Sequence, residues 1–184
     1  MRVIAGSAKK RRLIAPPGLA VRPTADRVKE ALFNILGGYV LESRFLDLFA
    51  GAGGVGIEAL SRGAGQVVFV EKEPKNMEII KKNLQLTGLS DKAGCLCLSA
   101  EKALELLALE DASFDLIFMD PPYRQNLVSG TLHCIAVNSL LSADGLVVVE
   151  TGKEIPLPER ENDGLSIVRR EKYGDTLLAF YQYQ

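Results

Sequence analysis

The chain has 184 residues, 47% of them hydrophobic and 24% charged, with a net charge of −1. That is the balance of one globular domain with a sizeable core. No stretch approaches the roughly 20 consecutive apolar residues of a membrane span. The opening Met1-Arg2-Val3-Ile4-Ala5-Gly6 turns basic too soon to read as a secretion signal, so the expected location is the cytoplasm. Three cysteines are an odd number for a disulfide scaffold, and Cys95, Cys97 and Cys134 are read as buried free thiols. The near-zero net charge hides an asymmetry. Residues 1–44 carry nine Lys/Arg against three Asp/Glu, whereas the remaining 140 carry 13 against 20. A basic N-terminal segment on an acidic body predicts a local grip on a polyanion.

Two short β-like runs, Arg2–Ala5 and Arg11–Ala15, flank a turn at 6–10 and predict a hairpin. Pro16-Pro17-Gly18 interrupts the pattern. Thr24 reads as the N-cap of a helix in which Val28, Ala31, Leu32, Ile35 and Leu36 share one apolar face. Gly37-Gly38 ends it. From Arg44 onward strands and helices alternate: strands at Phe45–Leu48, Gln66–Glu71, Gly94–Leu98, Phe114–Met119 and Gly145–Glu150. Helices fall near Val55–Arg62, from Pro74 to Thr87, at Glu101–Leu107 and around Leu127–Leu141. Apolar strands alternating with helices predict an α/β fold with a parallel sheet covered on both faces. Leu165–Tyr173 and Thr176–Tyr183, joined by Gly174-Asp175, predict an antiparallel hairpin. The expected organisation is a single domain, 1–184. An N-terminal hairpin-and-helix extension (1–40) precedes a catalytic core (41–184).

Two segments carry the chemistry. In Asp47-Leu48-Phe49-Ala50-Gly51-Ala52-Gly53-Gly54-Val55-Gly56, four glycines fall within six residues, and Gly51, Gly53 and Gly56 satisfy G-x-G-x-x-G. Glu71 follows 20 residues after Gly51, the spacing of a carboxylate that holds ribose hydroxyls. This pattern alone fits either a nicotinamide or an S-adenosylmethionine site. Asp47 favours the second. A carboxylate just before the loop would repel a pyrophosphate, yet it suits a sulfonium and an α-ammonium group. The other segment is Asp120-Pro121-Pro122-Tyr123, at the end of the fourth strand. The lone pair of a base's exocyclic amine is delocalised into the ring. Acceptors on its N–H groups, such as the Asp120 carboxylate and the Pro121 carbonyl, localise it. Tyr123 would stack on the base, and Pro121 and Pro122 would stiffen the turn. Such catalysis is positioning plus electrostatics and calls for no metal. His133, the sole histidine, is assigned a structural or surface role.

With these motifs in place, the chain resembles the RsmD-type 16S ribosomal RNA guanine-N2 methyltransferase family. The resemblance rests on Arg2–Gly6, Arg22-Pro23-Thr24-Ala25-Asp26-Arg27 running on to Leu36, Asp47–Gly51, Asp120–Tyr123 and Lys172-Tyr173-Gly174-Asp175. It implies a Rossmann-like class I methyltransferase sheet of seven strands, mostly parallel, with an antiparallel C-terminal strand. It implies methylation of the N2 amine of one guanine, of the 966 type, in 16S rRNA within a small ribosomal subunit or its assembly intermediate, by a monomer. The candidate cofactor-binding residues are Asp47, Phe49, Gly51, Gly53, Glu71, Lys72, Ser99, Ala100 and Asp120. Ser99-Ala100 lack the acidic residue common at that place. The candidate RNA-binding residues are Lys9, Lys10, Arg11, Arg12, Arg22 and Arg27, and Thr24, Asp26 and Arg27 are expected over the cofactor or substrate pocket. The competing readings are an adenine-N6 methyltransferase acting on DNA or another RNA, a nicotinamide-dependent oxidoreductase, and a non-catalytic RNA-binding protein.

Overall fold

The computed structural model describes residues 1–16, 24–122, 127–160 and 164–184. Seven strands form one sheet: β1 (Arg44–Asp47), β2 (Gln66–Val70), β3 (Ala93–Leu96), β4 (Phe114–Met119), β5 (Leu141–Gly152), β6 (Leu165–Tyr173) and β7 (Thr176–Tyr183). Their order is β3-β2-β1-β4-β5-β7-β6. The first five are parallel, and β7 runs antiparallel between β5 and β6. The expected fold class holds, including the C-terminal hairpin.

The strands are apolar on both faces because helices cover both. Phe45, Phe69, Leu116, Phe118, Val148 and Phe180 point to one side. There they meet α1 (Asp26–Leu36), α2 (Gly54–Ser61) and α3 (Pro74–Thr87). Leu46, Val70, Ile117, Met119, Val149 and Tyr181 point to the other, against α4 (Ala100–Leu109) and α5 (Leu127–Val137). The period-2 alternation of each strand therefore feeds two separate cores. Gly56 lets α2 come close to the sheet. A Cβ there would lie 2.3 Å from the ring of Phe69.

Local structure departs from expectation at several places. The N-terminal runs make a single antiparallel bridge, Arg2 to Arg12, rather than two strands. Their backbone is held instead by the rest of the protein. Glu58 accepts from the N–H groups of Ile4 (2.8 Å) and Ala5 (3.0 Å), and Ser61 bonds Ala8 N–H and the Ala5 carbonyl. Gly6 sits so near Ser61 that a Cβ would fall 1.7 Å from its carbonyl oxygen, and Gly6 has φ +80°. Asn83 of α3 pairs with both backbone groups of Ile14 and donates to the Ala52 carbonyl in the glycine loop. Val3, Ala8 and Leu13 are buried in the α1–α3 core. The basic arm is thus a docked segment, not a free tail.

Thr24 does not cap α1. The N-cap position is Ala25, and the Thr24 hydroxyl donates to Glu150 instead. The helix after the Asp-Pro-Pro turn stops at Val137 rather than Leu141. Asn138 turns its side chain back onto the Cys134 carbonyl, and Ser139 takes φ +51°. Leu141 then opens β5. Cys97 lies beyond the end of β3 and is exposed, while Cys95 and Cys134 are half-buried. None of the three is the buried thiol expected. Among the described residues no helix is long and apolar enough to cross a membrane.

Candidate active site

The strand order reverses between β1 and β4, and their carboxyl ends open at that switch point, where open α/β sheets bind ligands. A cavity there is lined by Met1, Thr24, Lys29, Asp47, Phe49, Ala50, Gly51, Ala52, Gly54, Val55, Phe118 and Asp120. The glycine loop after β1, the acidic end of β4 and the start of α1 thereby share one wall. A wider, shallower hollow between Phe33, Leu41 and Arg62 contains none of the candidate residues.

Asp47 is buried, and its Oδ2 accepts from the Gly56 N–H at 2.8 Å, satisfying one of the unpaired donors in the first turn of α2. Burial pushes its carboxyl up to about 7. The Gly56 bond opposes the rise and the negative Glu71 adds to it. Asp120 is raised to about 8, first by burial, then by the negative charges of Glu150 and Asp47. Asp120 follows Met119, which pairs with Val149 in the ladder, so Glu150 stands beside it two residues before the end of β5. Glu150 is buried and takes the Thr24 hydrogen bond. The cavity is therefore a place where negative charge is poorly solvated and a cation would be welcome. Phe49, half-buried in the wall, has φ +136°, a backbone state that a phenylalanine seldom adopts and that strains the loop at the site.

Of the predicted cofactor residues, Asp47, Phe49, Gly51 and Asp120 meet in this cavity. Gly53, Glu71, Lys72, Ser99 and Ala100 do not line it. Glu71 uses both oxygens on backbone, accepting from Gly51 N–H and Glu73 N–H at 2.8 Å each. It shapes the loop from behind. Gly53 is the N-cap residue of α2. Lys72 is exposed, Ser99 caps α4 by accepting from the Lys102 N–H, and Ala100 opens that helix. Pro121 is buried and Pro122 exposed. Tyr123 and Arg22 lie outside the described residues. Lys9, Lys10, Arg11, Arg12 and Arg27 are exposed. Of the three residues placed over the pocket, Thr24 reaches its wall, whereas Asp26 pairs with Arg2 on the surface at 3.0 Å. His133 is exposed on α5.

Sequence reasoning missed Lys29 and Glu150. Lys29 is 1% exposed, and its ammonium donates to the Arg2 carbonyl at 2.7 Å and stands 3.5 Å from Glu58. Desolvation lowers its pKa against the pull of Glu58 and Asp26. The signal was available for Lys29: it follows Val28 and precedes Leu32, inside the apolar arc of the helix. Glu150 follows the apolar run Leu146–Val149 inside β5, a place where a carboxylate has few structural reasons to be.

These residues fit S-adenosylmethionine by their chemistry. The carboxylates suit the sulfonium and α-ammonium, and the glycine loop allows close backbone approach. A seven-stranded sheet with an antiparallel β7, carrying this loop and an Asp-Pro-Pro turn at the switch point, defines a class I, S-adenosylmethionine-dependent methyltransferase. The family model described as conserved hypothetical protein 95 matches residues 1–182. The chain belongs to that family, which bears out the resemblance carried by the Arg22–Leu36 and Asp120–Tyr123 motifs. YlbH of Bacillus subtilis, provisionally named an rRNA methyltransferase, is 43% identical over 182 residues, 99% of this chain and 98% of that protein. Ribosomal RNA small subunit methyltransferase D of Haemophilus influenzae is 38% identical over 99% of this chain and 93% of its own length. Among solved structures, the provisional methyltransferase yhhF of Escherichia coli superposes with a TM-score of 0.86 at 33% identity. It covers 100% of this chain and 98% of that one.

Proposed function

We propose that the protein methylates the exocyclic N2 amine of a guanine, of the 966 type, in 16S rRNA of the small ribosomal subunit. The observation that carries this reading is the single cavity that joins Asp120 to Asp47 and the glycine loop. An amine placed on the Asp120 turn is thereby brought against a cofactor held by the loop. Support for the substrate comes from relatives named ribosomal RNA small subunit methyltransferase D, 38% and 35% identical over 99% of this chain.

S-adenosylmethionine, when bound, supplies an electrophilic methyl group on sulfur. The Asp120 carboxylate and the Pro121 carbonyl accept from the amine and localise its lone pair. As the N–C bond forms, the S–C bond breaks and its electron pair stays on sulfur. The amine then loses one proton, and Asp120, raised to about 8, is suited to take it. The cationic cofactor beside Asp120 favours the ionised form that this role needs. Pro121 and Pro122 fix the turn, while Tyr123 stacks on the base in this reading. Glu71, one amide N–H on each oxygen, has lone pairs left to accept from the ribose hydroxyls. Lys9, Lys10, Arg11 and Arg12 grip RNA phosphates, and Arg22 and Arg27 are assigned to the same RNA contact.

Mass mapping of small-subunit rRNA from cells with and without the gene tests this. Disappearance of one N2-methylguanine is the expected result. Unchanged RNA would overturn the assignment, and loss of an N6-methyladenine would transfer it to the adenine reading.

A further inference from the structure

Lys29 is an expensive residue to place where it is. Its side chain is 1% exposed, inside the apolar arc of α1, and desolvation opposes its charge. The charges around it do not balance. Glu58 is shared between Lys29 at 3.5 Å and Arg62 at 2.8 Å, so one buried anion faces two cations. Asp26, the other nearby anion, is committed to Arg2. The ammonium has three N–H donors. One goes to the Arg2 carbonyl and one to Glu58. No third partner exists among the described residues. Lys29 also lines the cavity that holds Asp47 and Asp120. A buried cation with a spare donor, the one basic side chain in a described lining that otherwise carries Asp47 and Asp120, is built for an anion of the ligand.

We propose that Lys29 binds the α-carboxylate of the cofactor's methionine moiety. This rests on the S-adenosylmethionine reading above and extends it. That moiety is a zwitterion. The acidic side of the cavity serves its ammonium and the sulfonium, and Lys29 serves the carboxylate. An RNA phosphate is a poorer occupant of the same place, because the amine is buried behind the glycine loop and Met1 rather than presented at the surface with Lys9 to Arg12. A merely structural Lys29, pinning the Arg2 carbonyl and pairing with Glu58, would account for two donors and leave the third without a partner among the described residues.

The test compares two ligands on three proteins by titration calorimetry without RNA. The ligands are S-adenosylmethionine and its decarboxylated form, which keeps the sulfonium and the amine. The proteins are wild type, Lys29→Met and Lys29→Arg. Lys29→Met keeps the length of the side chain, and Glu58 retains Arg62 and two backbone donors. Wild type should prefer the carboxylated ligand by about tenfold to a hundredfold, the range of one charge-assisted hydrogen bond. Lys29→Met should lose that preference while holding the decarboxylated ligand as wild type does. Lys29→Arg should keep most of it. Equal weakening of both ligands in Lys29→Met would reduce Lys29 to a structural clamp and overturn the proposal. So would a wild type that does not discriminate. If wild type bound neither ligand, the cofactor reading itself would fall, and the Lys29 assignment with it.

Discussion

The Thr24 hydroxyl donates to the Glu150 carboxylate across 2.8 Å, tying the residues just before α1 to the C-terminal part of β5. Glu150 in turn stands beside Asp120 and raises its pKa. The N-terminal segment and the catalytic turn are therefore one electrostatic unit, although 126 residues separate the bonded pair. Thr24→Val keeps the shape and removes the donor. It should cost about 1–2 kcal/mol of stability, the price of one hydrogen bond to a charged group. It should also lower the pKa of Asp120, because a Glu150 deprived of its donor holds its negative charge less readily and repels the Asp120 charge less. Chemical denaturation and the pH profile of methyl transfer would check both effects. An unchanged denaturation midpoint would remove the coupling.

Asn83 offers a second test of how the N-terminal segment is held. Its amide makes three hydrogen bonds to backbone, two with Ile14 and one with Ala52. The side chain is fully buried. Asn83→Ala strands those groups without water and should destabilise the fold by about 2–4 kcal/mol. Hydrogen exchange should quicken at the Ile14 amide and within the glycine loop before it quickens in the sheet. Uniform loss of protection would mean that Asn83 serves the whole fold and not this junction.

The sheet was legible because its strands announce themselves as apolar runs between glycine-rich turns, and Gly174-Asp175 marked the last hairpin. The glycine loop and Asp120 were legible because their spacing is local in sequence. What escaped was tertiary. Thr24 looked like a cap because capping is a local rule, but a buried carboxylate 126 residues away competes for its hydroxyl and wins. Glu71 was picked out by its spacing, while the bonds that tie its two oxygens to the Gly51 and Glu73 amides depend on how the loop folds back on β2. Lys29 read as one more basic residue, since burial of a charge depends on partners such as Glu58 that only the fold brings near.

Gly56 tests the packing that sets the loop. An alanine there would push its Cβ to 2.3 Å from the Phe69 ring, which is wholly buried and has no room to retreat. Overpacking of this kind costs about 1–3 kcal/mol. The shift of α2 would also stretch the 2.8 Å bond from the Gly56 N–H to Asp47. Gly56→Ala should therefore lower both the melting temperature and the affinity for S-adenosylhomocysteine. Loss of stability with intact affinity would show that the loop is positioned by other contacts.

The two raised carboxyls give a pH dependence of definite sign. Asp47 and Asp120 hold protons in the folded protein up to about 7 and about 8, whereas in the unfolded chain they release them near 4. Between those limits the folded state binds more protons, so its stability falls as pH rises through the window. A bound cation favours the ionised forms, so affinity for S-adenosylmethionine should rise over the same range. Melting temperatures of the free protein and calorimetric affinities, taken from about pH 5.5 to 8.5, should run in opposite directions. Proton release on binding should appear as a dependence of the binding enthalpy on buffer. Parallel trends would mean that these two groups do not control the site.

The basic segment gives the last prediction. Lys9, Lys10, Arg11 and Arg12 are exposed, and no ion pair engages them among the described residues, while the backbone beneath them is fixed by Glu58, Ser61 and Asn83. Four cations on a rigid support can meet phosphates without first being ordered, and each contact releases a counterion. Neutralising Z phosphates steepens the fall of log K with log salt by about 0.7–0.9 Z. Changing all four residues to glutamate should therefore flatten that slope by roughly 3 units and weaken binding most at low salt. Stability should scarcely change, because no described partner is lost. If slope and affinity both matched wild type, the segment would be a solvated surface, and the RNA contact would have to be sought elsewhere on the protein.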